Sequence, residues 1–158
     1  LHTGDIGEVD AEGFLRITDR KKNLIITAGG KNVAPSNIEL LICRDLLVAH
    51  VVVIGERRNY LTALITLSTE TLNILKDTEE FSGMSIDKIR ESETVKNRID
   101  QAVAQANEEL ARYENVRKFT VLPNEFTVED GELTPTMKIK RKVITERYAD
   151  EIEAFYQA

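Results

Sequence analysis

The sequence predicts an α+β fold: a small β-sheet flanked by helices and preceded by short β-hairpin segments. Three observations predict it. Val48 to Ile54 and Leu61 to Leu67 are β-branched-rich runs joined by Gly55-Glu56-Arg57-Arg58-Asn59, as neighbouring strands are. Val95, Ile99, Val103, Ala106 and Leu110 recur at helical spacing. Turn signals crowd the first 35 residues. A length of 158 residues suits one ordinary domain, or one with a short piece attached.

The elements follow in order. Asp10-Ala11-Glu12-Gly13 signals a turn, and Phe14 to Thr18 alternates apolar and polar residues as a half-buried strand does. Leu24-Ile25-Ile26, then Ala28-Gly29-Gly30-Lys31-Asn32, reads as a small hairpin ending at Val33. Pro35-Ser36-Asn37-Ile38-Glu39 predicts a helix start, with Ser36 as N-cap and Glu39 closing a capping box, and the helix running to about Arg44. A helix is expected from Thr69 to about Lys76, a loop around Gly83, and a long amphipathic helix from about Glu93 to Arg112. Val116 to Leu122 reads as a strand and Pro123 to Thr136 as a long loop. The last helix carries Ile144, Tyr148, Ile152 and Phe155 on one face. No internal repeat or low-complexity segment is present.

Composition narrows the function classes. Hydrophobic residues at 42% and charged residues at 30% are globular values. Aromatics are only 6%, so the core leans on Leu, Ile and Val. A net charge of -6 argues against a nucleic-acid-binding domain. The single cysteine, Cys43, fits a reducing, cytoplasmic setting and reads as a small buried hydrophobe. Two histidines and one cysteine make no zinc set, and Glu125 to Gly131 lacks the EF-hand pattern, so no metal-binding residues are expected. No apolar run reaches the ~18 residues of a spanning helix. The chain opens on Leu1 and reads as a piece of something larger.

Against this acidic background, Lys138, Lys140, Arg141 and Lys142 fall within five residues, just after a Pro-containing loop. A basic run of this kind is ordinarily a solvated face. A lysine at a loop-to-helix junction can also be aimed at an anionic reacting centre.

Four stretches in order carry a resemblance: Thr3-Gly4-Asp5-Ile6-Gly7; Gly13 to Lys22; Ile25 to Glu39, with Gly29-Gly30 inside it; and Leu133-Thr134-Pro135-Thr136-Met137-Lys138. Together they resemble the C-terminal end of the acyl-adenylate-forming enzymes, a superfamily that includes acyl-CoA synthetases, firefly luciferase and peptide-synthetase adenylation domains. The third and fourth look most like the long-chain fatty acid–CoA ligase branch.

The resemblance implies an anatomy: residues 1–20 as the tail of an N-terminal AMP-binding domain, 21–22 as hinge and 23–158 as a C-terminal lid. It implies a two-step parent reaction in which a fatty acid and ATP give acyl-AMP, and CoA then displaces AMP. The partners would be the chain's own N-terminal domain with fatty acid, ATP and CoA, and no nucleic acid. Peripheral membrane contact would come through the N-terminal part. Magnesium would be held mostly by phosphates and that domain. This stretch alone would be inactive.

By the same likeness Asp5 and Arg20 meet the nucleotide ribose, where a carboxylate suits a vicinal diol and a guanidinium offers a rigid donor fork. Lys22 is the hinge residue, and Gly29 and Gly30 line the CoA arm. Lys138 bridges the substrate carboxylate and the α-phosphate. Much of the superfamily has Gly directly before this lysine, whereas Met137 stands here, so Lys140 and Lys142 remain rival registers. The alternatives are a stand-alone nucleotide- or CoA-binding module with the same fold and no catalysis, or the lid of another acyl-adenylating enzyme.

Overall fold

A computed structural model describes residues 5–20 and 23–157. Two short hairpins open the chain. Strand β1 (Asp5–Val9) pairs antiparallel with β2 (Leu15–Arg20), and β3 (Ile25–Ile26) with β4 (Asn32–Val33). The first turn forms as its sequence dictates. Asp10 Oδ1 accepts from the N–H groups of Glu12 and Phe14 at 3.0 and 2.9 Å, and Gly13 takes φ 89°.

The main sheet has order β5-β6-β7, from Val48–Ile54, Leu61–Leu67 and Val116–Val121. β5 and β6 are antiparallel; β6 and β7 are parallel, which requires a crossover. That crossover is helical: α2 (Thr69–Lys76), α3 (Ile86–Arg90) and α4 (Glu93–Glu108). Every residue of β6 is buried, because both sheet faces are covered. Val51, Val53, Ala63 and Ile65 face a core shared with helix α1 (Pro35–Ile42) and α4, including Ile38, Ile42, Ile99 and Val103. Val52 and Leu64 face the other core, built from Leu122, Phe126, Leu133, Ile144, Ile152 and Phe155. The last four of these lie in or beside α5 (Arg141–Arg147) and α6 (Ala149–Tyr156) and the loop that leads to them.

The predicted class holds, with four differences of detail. The capping box at Ser36 does not form. Ala34 is the N-cap, without a side-chain bond, and Pro35 occupies the first turn. Glu39 is thereby free for a tertiary role. The long helix ends at Glu108, four residues short of Arg112. There Asn107 clamps the start of β7, bonding both the N–H and C=O of Val116 at 2.9 Å. The Gly83 region is not all loop: five residues form α3 behind a Ser85 cap, too few to show a period. The last helix is two, broken at Tyr148 (φ -105°, ψ 32°). Its expected stripe survives the break, with Ile144, Ile152 and Phe155 buried.

Candidate functional site

Lys138 sits on a short hairpin. An isolated bridge joins Leu133 to Ile139, and the residues between them turn tightly. Thr134 organises that turn. Its N–H donates to Lys138 C=O at 2.8 Å, its hydroxyl accepts the Lys138 N–H at 3.0 Å, and its C=O accepts the Met137 N–H at 2.8 Å. Met137, directly before the lysine, takes φ 60°, the left-handed region that favours glycine.

The foot of the hairpin is fixed by Glu132, which is 2% exposed. Its C=O accepts the Lys140 N–H at 2.8 Å. Its carboxylate accepts from Arg147 Nη1 at 2.9 Å, Tyr148 Oη at 3.0 Å and the Thr127 N–H at 3.3 Å. Burial, with the charge and hydrogen bond of Glu132, pushes the Tyr148 phenol up.

The hairpin borders a cleft of about 880 Å³ that Lys138 and Lys142 line, together with Asn23, Ser36, Glu39 and His50. Lys140 is not part of the lining. Lys138 is exposed and its Nζ has no ion-pair partner among the described residues. Lys142 is 88% exposed and lies 3.9 Å from Glu146. Arg141 is committed elsewhere, to Glu39 Oε1 at 2.6 Å and Val53 C=O at 2.8 Å. Of the basic run, Lys138 is the cation held on a fixed hairpin, in the cleft and without a carboxylate. His50 is half-buried in the wall, its Nδ1 3.3 Å from Thr66 Oγ1 and its ring against Phe126. Burial lowers its pKa, against the pull of Glu125 and Glu132.

The Gly29-Gly30 pair lies at the tip of the β3–β4 hairpin, away from that cleft. Gly30 takes φ 71° and donates its N–H to Thr27 C=O at 2.9 Å, so the turn itself needs glycine there. Gly29 is different. A Cβ added to it would meet nothing closer than Thr27 Oγ1 at 4.0 Å. Neither packing nor backbone angle within this chain asks for glycine at position 29. Beside it runs a groove of about 440 Å³ lined by Thr27, Gly29, Lys31, Tyr60, Tyr113 and Arg117, with Arg112 and Asn115. No carboxylate lines it, although the chain is acidic overall. Lys31 Nζ stands 5.5 Å from the Tyr113 ring centre, and Arg117 lies 6.0 Å from that of Tyr60. Asn115 Oδ1 is buried and has no hydrogen-bond partner among the described residues.

Asp5 and Arg20 are register partners across the β1–β2 hairpin, so the backbone brings together the two positions expected at the ribose. Their side chains, and the whole of Lys22, lie outside the described residues. Among the described residues no group of three or more His, Cys, Asp or Glu is placed to hold a metal ion. These residues therefore do not fit a resident magnesium site. Burial, then the charge of Glu39, pushes the Cys43 thiol up to about 11, which does not suit a nucleophile. No helix among the described residues is long and apolar enough to cross a membrane.

With this geometry in place, the comparisons decide the family. The profile described as AMP-binding enzyme C-terminal domain matches residues 22–158. The chain belongs to that family. Among curated relatives, the long-chain-fatty-acid–CoA ligase FadD15 of Mycobacterium tuberculosis is 45% identical over 98% of this chain and 26% of its own length. The long-chain-fatty-acid–CoA ligase ACSBG1 of Bos taurus is 39% identical over 99% of this chain and 24% of its own. Among solved structures, the adenylation domain of a carboxylate reductase from Mycobacterium chelonae aligns with TM-score 0.72 at 30% identity, covering 98% of this chain and 22% of that one. A Mycobacterium tuberculosis fatty acyl CoA synthetase aligns with TM-score 0.54 at 29% identity, covering 94% of this chain and 24% of that one. The chain thus spans about a quarter of the length of the relatives it matches. The α+β class expected from sequence is that of this C-terminal domain.

The sequence reading missed Glu39's tertiary role, Arg141's commitment and the buried Glu132 centre. Glu39 and Arg141 are 102 residues apart, and nothing local in a single sequence signals such a pairing. A local clue did exist for Arg141: three cations open α5, where the helix macrodipole disfavours them.

Proposed function

We propose that this chain is the C-terminal lid of a long-chain fatty acid–CoA ligase, with residues 1–20 closing the N-terminal AMP-binding domain, 21–22 the hinge and 23–158 the lid. The observation that carries the reading is Lys138: an exposed lysine without an ionic partner among the described residues, held at the rim of the 880 Å³ cleft by a rigid hairpin. The two relatives named as long-chain ligases add the substrate class.

In the first step a fatty carboxylate oxygen attacks the α-phosphorus of ATP, the bond to the β-phosphate breaks, and pyrophosphate leaves. Two anions must approach each other while negative charge grows at phosphorus. An ammonium placed between them offsets the repulsion and favours the transition state, the more so once a closing domain excludes water. Lys138 Nζ would supply it. In the second step the thiol sulfur of CoA attacks the acyl carbonyl and AMP departs as the thiol proton is lost.

A lid that turns about Lys22 would present a different face to that step, and the Gly29 tip suits it. Glycine at position 29 leaves room for a narrow chain to pass. The adjoining groove, with Lys31, Arg112, Arg117 and Tyr113, has the chemistry of a phosphorylated nucleotide such as CoA carries. Asp5 and Arg20 would hold the ATP ribose. Magnesium would travel with the nucleotide phosphates, and a cytoplasmic setting fits the free Cys43.

The test is the half-reaction split in the full-length enzyme. Lys138→Ala should cut fatty-acid-dependent pyrophosphate release to a small residual rate while leaving acyl-CoA formation from supplied acyl-AMP close to the parent rate. Equal loss in both steps would overturn the assignment of Lys138. Pyrophosphate release by residues 1–158 alone would overturn the lid reading and favour an independent enzyme. Nucleotide binding with no adenylation in the full-length protein would favour a binding module.

A further inference from the structure

The edge of the main sheet is capped by side chains from two distant parts of the chain. Among the described residues β5 has one strand neighbour, β6, so the backbone groups of its other edge have no strand to pair with. In an antiparallel ladder alternate residues turn both N–H and C=O away from the partner. Val53 is such a residue, and it is 1% exposed. Its N–H donates to Glu39 Oε1 at 2.8 Å, and its C=O accepts from Arg141 Nη1 at 2.8 Å. The same Glu39 oxygen accepts Arg141 Nη2 at 2.6 Å. Carboxylate and guanidinium together stand where a further strand would pair.

One turn on, the C-cap Cys43 lies beside the Val51 backbone, so α1 and its cap run along this edge. Arg141 reaches the edge from a different part of the chain. It is the first residue of α5 and lies three residues beyond Lys138. The α5 macrodipole disfavours a cation there, and no acidic residue occupies its first turn. The compensation is Glu39, whose side chain is 15% exposed, with Arg141 at 33%. A lysine could take its place only in part, since one ammonium keeps the charge facing Glu39 but cannot reproduce the two-pronged donation to Glu39 and Val53.

Resting on the lid reading above, we infer that Arg141 and Glu39 are positioning residues for adenylation. By clamping Val53, they fix the outgoing end of the Lys138 hairpin to the rigid sheet and hold the Lys138 ammonium at its point in the cleft. Glu132 anchors the incoming end of the same hairpin, so both ends are held. The clamp acts only through Lys138, and it touches no substrate.

The test is a double-mutant cycle on both half-reactions in the full-length enzyme. Arg141→Ala should slow fatty-acid-dependent pyrophosphate release by about 100-fold, the cost of a catalytic group displaced by ~1 Å. It should change acyl-CoA formation from supplied acyl-AMP by less than about threefold, and KM for ATP as little, a fall in kcat being the mark of lost transition-state stabilisation. In a Lys138→Ala background the same substitution should cost almost nothing more in adenylation, because the group it positions is gone. Arg141→Lys should recover part of the rate. Should Arg141→Ala fail to fold, Glu39→Gln takes its place: it keeps an oxygen for the Val53 N–H, removes the negative charge that faces Arg141, and should slow adenylation selectively. The inference is overturned if the Arg141 loss persists in full in the Lys138→Ala background, or if both half-reactions fall together. If Lys138→Ala itself leaves adenylation intact, it is the assignment of Lys138 that fails, a result distinct from either.

Discussion

Glu132→Ala is the perturbation that most directly tests how the Lys138 hairpin is held. Glu132 is 2% exposed, and three donors converge on its carboxylate. Arg147, 43% exposed, regains water when the carboxylate goes, so it adds nothing to the cost. The Tyr148 hydroxyl at 3.0 Å and the Thr127 N–H at 3.3 Å are part-buried and lose this acceptor. An orphaned buried donor costs ~1–3 kcal/mol, and the longer Thr127 bond belongs at the low end, so the sum is about 2.5 kcal/mol. For a domain of this size that is a fall of about 5–10 °C in Tm. Urea and thermal unfolding of the purified chain measure it. Glu132→Gln should fall between: its amide oxygen serves one donor, while its NH2 competes with the others. A loss below about 0.5 kcal/mol for Glu132→Ala would refute the reasoning, since that is the effect of an ordinary surface change. A Gln variant as stable as the parent would show that the charge contributes nothing.

Three further outcomes are expected. Gly55→Ala should destabilise by ~1–3 kcal/mol in urea, because the added methyl would stand 2.2 Å from Cδ2 of the fully buried Leu61. Burial works against ionisation of Asp45, but the hydrogen bonds from Arg98 and the Leu47 N–H, with the charge of Arg98, outweigh it and hold the carboxyl below its ordinary value. A depressed folded pKa contributes stability above the unfolded pKa of ~3.9 that is lost as pH falls through the folded one. Asp45→Asn should therefore be less stable than the parent at neutral pH, and urea midpoints of the two should converge as the pH is lowered below about 4. Cys43, with a thiol pushed up to about 11, should have a thiolate fraction of ~0.001 at pH 8, so iodoacetamide should label it far more slowly in the folded chain than in urea.

What the sequence made legible was whatever is written locally. Runs rich in β-branched residues located β5 and β6, and the helical period located α4, because composition and spacing along the chain decide which backbone can bury them. The Asp10–Gly13 turn and the Gly30 turn were readable because Asp10 binds its own turn and glycine supplies the positive φ at 13 and 30. Glu39 shows where this stops. Its position three residues after Ser36 is a sound capping pattern, yet Pro35 sets the helix two residues earlier and the carboxylate goes to Val53 and Arg141. The break at Tyr148 was invisible for a similar reason. The apolar stripe through Ile144, Ile152 and Phe155 is continuous in sequence, and the hydroxyl of Tyr148 is tied to Glu132, sixteen residues back.

Met137 turns a departure from the superfamily pattern into support for a register. Where much of the superfamily has glycine, this chain has a methionine, and on sequence alone that left Lys138, Lys140 and Lys142 in competition. The backbone at 137 has φ 60°. A glycine suits that slot because it has no Cβ to crowd the carbonyl, and a methionine there costs ~1–2 kcal/mol. The cost is borne by the fold around it: Thr134 binds both Met137 and Lys138, and the Leu133–Ile139 bridge closes the loop beneath them. Neither Lys140 nor Lys142 follows a left-handed residue, since among the described non-glycine residues only Arg57 and Met137 have positive φ. The constraint that glycine meets elsewhere is thus present here at the residue before Lys138. It is a property of the hairpin rather than of the side chain, and it favours Lys138 over its two neighbours.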